Sequence, residues 1–584
     1  MPDTNAANES ALRASAALDL NKFKAFLSVE YNNTIDNPAL TQWGFQVTSS
    51  TPGMVYVSDG TNADYLPWGN FGVKIPKYGF PIHPDLQTGG GYTHINVLHI
   101  RTKLDYDLGD GFDLAYIGGL FDSHSASLIR LAGMENPPLF TDFNSYVPYM
   151  DWRDWSNELH LSYTGENGLF AQVGAFYFDE DQKNSNSIQT VVPANSLFPG
   201  YPGGIFIVNN FQRPGITERS YAFFGQADIP ITDTIKLTGG LRYTNDLRKG
   251  LYLNGAGGYF LGGFASGDLN EADLPNSNGI LANFAADPTA LPTICGNSTT
   301  DSAGDTIIKQ CYHKDKVNWL VGVNWSPTDR NMVYGKISTA FRAGGFDNLS
   351  HTIFNGHEVG NFLPETVISY EVGTKNRFLD NMLQVNLAGF MYDYTDLQVD
   401  SFVSTTVGHY TTNAGQARFR GIDFDVEWQF TDQDRVGIVG TYLDATYTSY
   451  KTVEVGYLGN VVNVDLSGNK PPDAPLWSFK ASYEHNFDLG NYGALTFDAS
   501  TEFKSNYYLN SYNFEIGHQE SYFQSDLSLT YAPTEKYNVE LFVHNVENYV
   551  PMTFMSWTGG APINIVNMAF GQPRTWGVQG NVKF

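Results

Sequence analysis

The chain has 584 residues, of which 15% are aromatic, 58 are Gly and only 16% are charged, and it carries a net charge of −27. That length exceeds one ordinary soluble domain, so several domains or one very large closed architecture are expected. The negative charge argues against nucleic acid as a partner, because phosphates would be repelled. No apolar run approaches the roughly 18 to 20 residues of a membrane helix, which leaves only a barrel as a membrane-spanning form, since its strands need merely alternate.

The chain opens MPDTNAANESALRAS, without the basic start and apolar core of a signal peptide. Residues 1–10 are expected to be a disordered remnant, and the first strand lies near 11–20. Nine short polar turns then divide the sequence into alternating segments. They are Leu20–Lys22, Asp107–Gly111, Thr164–Gly168, Pro230–Asp233, Ser326–Arg330, Leu379–Asn381, Thr431–Asp434, Asp488–Gly493 and Ala532–Lys536. Clusters of Asp, Asn, Gly and Pro of this size close hairpins.

The opposite connections are long and irregular: Asn33 to Tyr92, Gly255 to Lys314, and shorter ones near 129–149, 193–217, 346–363, 451–470, 511–520 and 551–569. Long structureless loops do not suit a compact soluble domain. Alternating with short turns, they match a barrel with turns in the periplasm and loops outside. The stretch Gly421–Phe430 (GIDFDVEWQF) fits this reading. Ile422, Phe424, Val426, Trp428 and Phe430 share one face, and Asp423, Asp425 and Glu427 the other. Apolar groups would face lipid and the acids a watery lumen. The final strand places Trp576, Val578, Val582 and Phe584 on one face, and a terminal Phe looks like a barrel-assembly signal. Roughly nineteen strands result. Single-chain bacterial barrels have even numbers, so one or three further strands would close this one.

Ligand candidates concentrate in the first long connection: Trp43, Phe45, Tyr56, Tyr65, Trp68, Phe71, Tyr78 and Tyr92. Flat ligands stack on such rings, although loop packing and an interfacial aromatic belt use the same residues. Arg342 stands near an outer rim, where it pairs with an anionic ligand or balances lumen acids such as Asp423, Asp425 and Glu427. Cys295 and Cys311 are expected to form a disulfide across a polar loop. His83, His94 and His99 show no ligand spacing, so no metal site is expected. Neither GxSxG nor a P-loop is present, no cofactor is expected, and the chain does not read as an enzyme.

Eight segments in order give the chain a family resemblance: SNELHLSY (156–163), TGGLRYT (238–244), FRAGGF (341–346), PETVISYEVGTK (364–375), NAGQARFRG (413–421), GNKPPDAPLW (468–477), HNVEN (544–548) and GQPRTWG (571–577). They resemble the barrel of TonB-dependent outer-membrane receptors. The resemblance implies an all-β fold, a large antiparallel transmembrane barrel with about 19 strands present of an expected 22, occupying 11–584. The plug, the TonB-contacting box and the first strands of the family have no counterpart here, which points to a truncated or mis-started chain. It further implies active uptake of a scarce ligand, an iron–siderophore complex by default, energised through TonB in the outer membrane of a Gram-negative bacterium. The partners are then outer-membrane lipid, lipopolysaccharide, the TonB complex and the ligand. Uptake of cobalamin or oligosaccharide, a passive porin and a soluble propeller are the alternatives.

Overall fold

The computed structural model describes residues 7–36, 43–48, 54–58, 63–67, 92–132, 142–193, 205–261, 299–300, 306–346, 353–354, 357–358, 361–403, 408–413, 415–455, 461–560 and 563–583. Its main sheet has 20 strands, one of which is the two-residue Thr299–Thr300. The other nineteen are long and follow each other in chain order. The first nine are β1 (Ala7–Leu20), β2 (Phe23–Asp36), β3 (Tyr92–Gly109), β4 (Phe112–Ala132), β5 (Asp142–Thr164), β6 (Phe170–Pro193), β7 (Ile205–Pro230), β8 (Ile235–Leu261) and β9 (Thr306–Thr328). The rest are β10 (Asn331–Arg342), β11 (Glu365–Phe378), β12 (Leu383–Thr395), β13 (Gln416–Gln429), β14 (Asp434–Ser449), β15 (Trp477–Asp488), β16 (Ala494–Lys504), β17 (Tyr522–Thr534), β18 (Tyr537–His544) and β19 (Thr575–Val582). Each pairs antiparallel with the next, a plain up-and-down wall. In lipid every backbone N–H and C=O must be met by another backbone group, and a continuous ladder meets them.

Alternation fixes the two faces of this wall. On β13, Ile422 and Trp428 project outward and are about half exposed (51% and 44%). Their neighbours point inward and find polar partners: Asp423 accepts from Thr441 Oγ1 at 2.7 Å, Asp425 from Asn386 at 3.1 Å and Glu427 from Arg435 at 3.4 Å. The same parity carries across the ladder to Val436 and Ile438 on β14 and to Val385 and Leu387 on β12. This is the inverse of a soluble core, with the apolar face outermost and a polar face within.

All nine expected turns connect consecutive long strands. At Asp110–Gly111 both residues have positive φ (53° and 82°), the backbone of a tight hairpin. A Cβ on Gly111 would lie 2.3 Å from the Thr164 carbonyl oxygen, so only glycine fits there.

Several boundaries differ from the sequence reading. β1 begins at Ala7, so residues 7–10 are strand rather than remnant. β7 starts at Ile205 and β6 ends at Pro193, which reduces the connection expected over 193–217. Likewise β8 runs to Leu261 and β9 starts at Thr306. The cause is physical. Beyond the lipid band the outward face turns polar, as at Asp179, Asp181 and Arg219, so alternation vanishes while the strand continues. Other connections contain hairpins of their own, Lys451–Val455 with Val461–Asp465 and Met552–Gly560 with Ile563–Phe570.

Among the described residues no ladder joins β1 to β19. A five-stranded sheet on the loop side instead links Trp43–Thr48, Met54–Ser58 and Ala63–Pro67, from the connection after β2, to Met552–Gly560 and Ile563–Phe570, from the connection before β19. Phe584 lies outside the described residues.

Candidate functional site

The inner face at the loop ends of the strands forms the candidate site. One arc is built by β5 to β10. Trp152 on β5 donates from Nε1 to Glu180 Oε2 on β6 at 3.0 Å. Next, Arg248 on β8 pairs with Glu218 on β7 at 2.8 Å, while its buried Nε has no hydrogen-bond partner among the described residues. Tyr312 on β9 accepts the Gly344 N–H at 3.1 Å. Side chains are excluded at Gly344, where a Cβ would meet the Phe362 carbonyl oxygen at 2.5 Å and the Tyr312 ring at 2.8 Å. The backbone after β10 therefore lies directly against Tyr312, and a Cβ on Gly345 would come within 3.1 Å of the Arg248 guanidinium. This explains the paired glycines of FRAGGF. An indole, a phenol and a guanidinium on a polar wall can stack on a flat ligand and bind its anionic oxygens.

The neighbouring arc, on β12 to β14 and the connection that follows, is apolar. Ala417, Tyr447, Tyr450 and Leu466 are buried together, with Tyr394, Phe419, Val464 and Tyr512 packed against them. Tyr447 and Tyr450 meet edge to face at 5.0 Å, and Tyr394 and Phe419 at 5.2 Å. Asparagines tie the loops to this core. Asn413 accepts the Leu363 N–H at 2.7 Å and donates to the Asp396 carbonyl at 2.7 Å. Asn513 accepts the Lys470 N–H and donates to the Lys470 carbonyl, at 2.8 and 2.9 Å. Asn545 is buried and has φ 55°; it donates to the Tyr549 and Gln572 carbonyls and accepts the Tyr549 N–H. The segments NAGQARFRG, GNKPPDAPLW and HNVEN are thus clamps that hold the mouth in shape.

The expected ligand residues are only partly gathered. Tyr56 and Tyr65 are direct cross-strand partners in the five-stranded loop sheet, and Trp43 lies in the same sheet. Thr48, on the strand that carries Trp43, pairs with Tyr56. Phe45 lies on the same strand as Trp43, opposite Val566. Tyr92 begins β3, opposite Leu128. Trp68, Phe71 and Tyr78 lie outside the described residues.

Arg342 ends β10 on the inner face, opposite Glu365, exposed and without an ion pair among the described residues. The acids expected to balance it are remote. Asp423 is level with Tyr334 through Ala388 and Gly373, eight positions below Arg342 and thus about 26 Å along the strand.

Cys311 is disulfide-bonded, whereas Cys295, the other cysteine of the sequence, lies outside the described residues. His94 bonds Asn33 at 3.0 Å and His99 lies 4.8 Å from the Phe121 ring on the other face. His83 is not among the described residues, where no three His, Cys, Asp or Glu converge as metal ligands. Trp152, Glu180, Glu218, Arg248 and Tyr312 escaped the sequence reading. Their signal was weak, since they stand where both faces of the strands are polar.

Known proteins place the fold. The pesticin receptor of Yersinia enterocolitica is 26% identical over 272 residues, 46% of this chain and 36% of that protein. A probable TonB-dependent siderophore receptor of Acinetobacter baumannii, PiuA, is 27% identical over 177 residues, covering 28% of this chain and 22% of that protein. These matches therefore span about a third or less of the relatives' lengths. Among solved structures, the ferric yersiniabactin uptake receptor FyuA of Yersinia pestis superposes with a TM-score of 0.65 at 15% identity, over 99% of this chain and 71% of that one. The siderophore receptor PiuA of Acinetobacter baumannii gives 0.63 at 15%, over 99% and 75%. At such identity these likenesses concern the fold. The family model described as the TonB dependent receptor-like β-barrel matches residues 22–548, and the chain belongs to that family of receptors of the Gram-negative outer membrane.

Proposed function

We propose that this chain forms the wall and ligand-collecting mouth of a receptor that takes up an iron–siderophore complex with energy delivered through TonB. The observation that carries the reading is the inner mouth, where Arg342 stands exposed without an acid partner among the described residues, beside the arc of Trp152, Arg248 and Tyr312. Iron chelates present anionic oxygens and flat rings, the chemistry such groups bind. Two proteins of this fold are a ferric yersiniabactin uptake receptor and a siderophore receptor, which supports the choice of ligand class. The reading involves no chemical step on the ligand, and the wall stands among outer-membrane lipid and lipopolysaccharide.

Deletion of the gene in its native host tests the proposal. Under iron starvation, loss of labelled ferric-chelate uptake in the deletion strain, and equal loss in a strain without TonB, is the expected result. Uptake of small solutes that depends on this gene but not on TonB would favour a passive channel instead. TonB-dependent uptake of cobalamin or oligosaccharide, with iron unaffected, would replace the ligand and leave the energetics standing.

A further inference from the structure

The outward face of the wall changes character over one step of two residues, Met391 on β12 being still apolar opposite Arg420 on β13. On β12 to β14 it is apolar up to Met391, Ile422 and Tyr442, and the next positions toward the loops are Asp393, Arg420 and Asp444. Arg418 follows on β13, and Lys470 reaches the same place from the connection between β14 and β15. Arg420 donates from Nε and Nη2 to Asp444 Oδ2, at 3.1 and 2.9 Å, and Lys470 donates to Asp444 Oδ1 at 2.8 Å. Arg418 pairs with Asp393 at 2.6 Å.

We propose that Arg418, Arg420 and Lys470 form an outward-facing site for the phosphorylated head group of an outer-leaflet glycolipid, whose acyl chains lie on the apolar face below. Three cations meet two acids here, a local positive excess in a chain of net charge −27. Exposure follows the same division. The cation side chains are 48%, 64% and 41% exposed, against 35% for Asp393 and 26% for Asp444. The carboxylates hold the cations in place from beneath, and the guanidinium and ammonium groups remain presented to the head-group layer. A phosphate adds charge-assisted bonds to donors already oriented. Below them Ile422 and Trp477 are about half exposed, and Trp477 lies 4.8 Å from the Tyr442 ring, an amphipathic aromatic pair at the boundary. On β4 to β7 the comparable outward positions are not in cationic excess: Arg153, Lys183 and Arg219 sit among Asp122, Asp151, Asp179 and Asp181. The site rests only on the outer-membrane placement of the wall, not on the ligand carried through it.

The test uses the full chain reconstituted in phosphatidylcholine vesicles containing either diphosphoryl lipid A or the same lipid with its phosphates removed. Lipid retained after extraction is counted by native mass spectrometry. The wild-type chain is expected to retain the phosphorylated lipid in preference, which is read without any variant. Arg418→Gln, Arg420→Gln and Lys470→Gln together should lower that retention at least about tenfold, while Arg153→Gln with Arg219→Gln should not. Equal retention of both lipids by the wild type, or equal loss from both variants, overturns the site. Iron uptake in the native host is a separate readout, so failure here leaves the uptake proposal standing.

Discussion

Arg342 is the side chain on which the proposed ligand chemistry most depends. It has no acid partner among the described residues, so its removal orphans nothing in the fold. Arg342→Ala is expected to leave the unfolding midpoint unchanged and to weaken binding of an anionic ferric chelate by about 2 kcal/mol, in a titration of the purified receptor. Unchanged affinity would remove Arg342 from the site. Asn545 behaves oppositely. Its amide serves three backbone groups from a buried position, and alanine would leave them without partners. Asn545→Ala should cost about 2–4 kcal/mol in a urea titration.

Asp473, in the clamp after β14, adds a pH dependence. Burial raises its carboxyl above the ordinary range, with Lys504 opposing. The folded chain then holds this proton at pH values where the unfolded chain has lost it. Stability is therefore fully present below the unfolded carboxylate pKa and declines as pH rises through the raised one. Asp473→Asn removes that decline, and asparagine tolerates the φ of 54° found there. The variant should melt higher than wild type at pH 7 and match it below the carboxylate range. A gain that persists in acid would assign the effect to something other than ionisation.

At the scale of the strand, the faces make a sharp contrast on β9. Val321 projects outward and is 59% exposed, midway along an apolar row from Val317 to Trp325. Asn318, three positions away, has the opposite parity and faces the lumen. Val321→Arg should cost about 2–4 kcal/mol when folding into vesicles is titrated with urea, whereas Asn318→Arg should stay within about 0.5 kcal/mol. Equal costs would contradict the assignment of faces. Strands like this one were legible because lipid on one side and water on the other force a period of two. Legibility stopped where that contrast stopped. Gly215, Ile216 and Thr217 read as loop, yet they continue β7, and the positions after them, Glu218 and Arg219, are polar on both faces.

For the whole molecule, stability lies in a ladder running from β1 to β19 rather than in a buried core. Such a sheet opens cooperatively and resists detergent. Unheated protein in dodecyl sulfate should therefore migrate differently from boiled protein; identical migration would argue against a continuous wall. The five-stranded sheet on the loop side ties the first long connection to the last, an arrangement that no local pattern announces.

The sequence alone determined the roughly nineteen strands, the nine turns and the inward or outward parity along stretches such as Gly421–Phe430, because these follow from local chemistry repeated every two residues. Tertiary structure decided what stands together at the mouth. Trp152 meets Glu180 from 28 positions away, Tyr312 meets Gly344 from 32, and Arg342 is separated from the acids expected to balance it. Those contacts depend on ladder register and on loops of unequal length, and neither leaves a periodic mark on the chain.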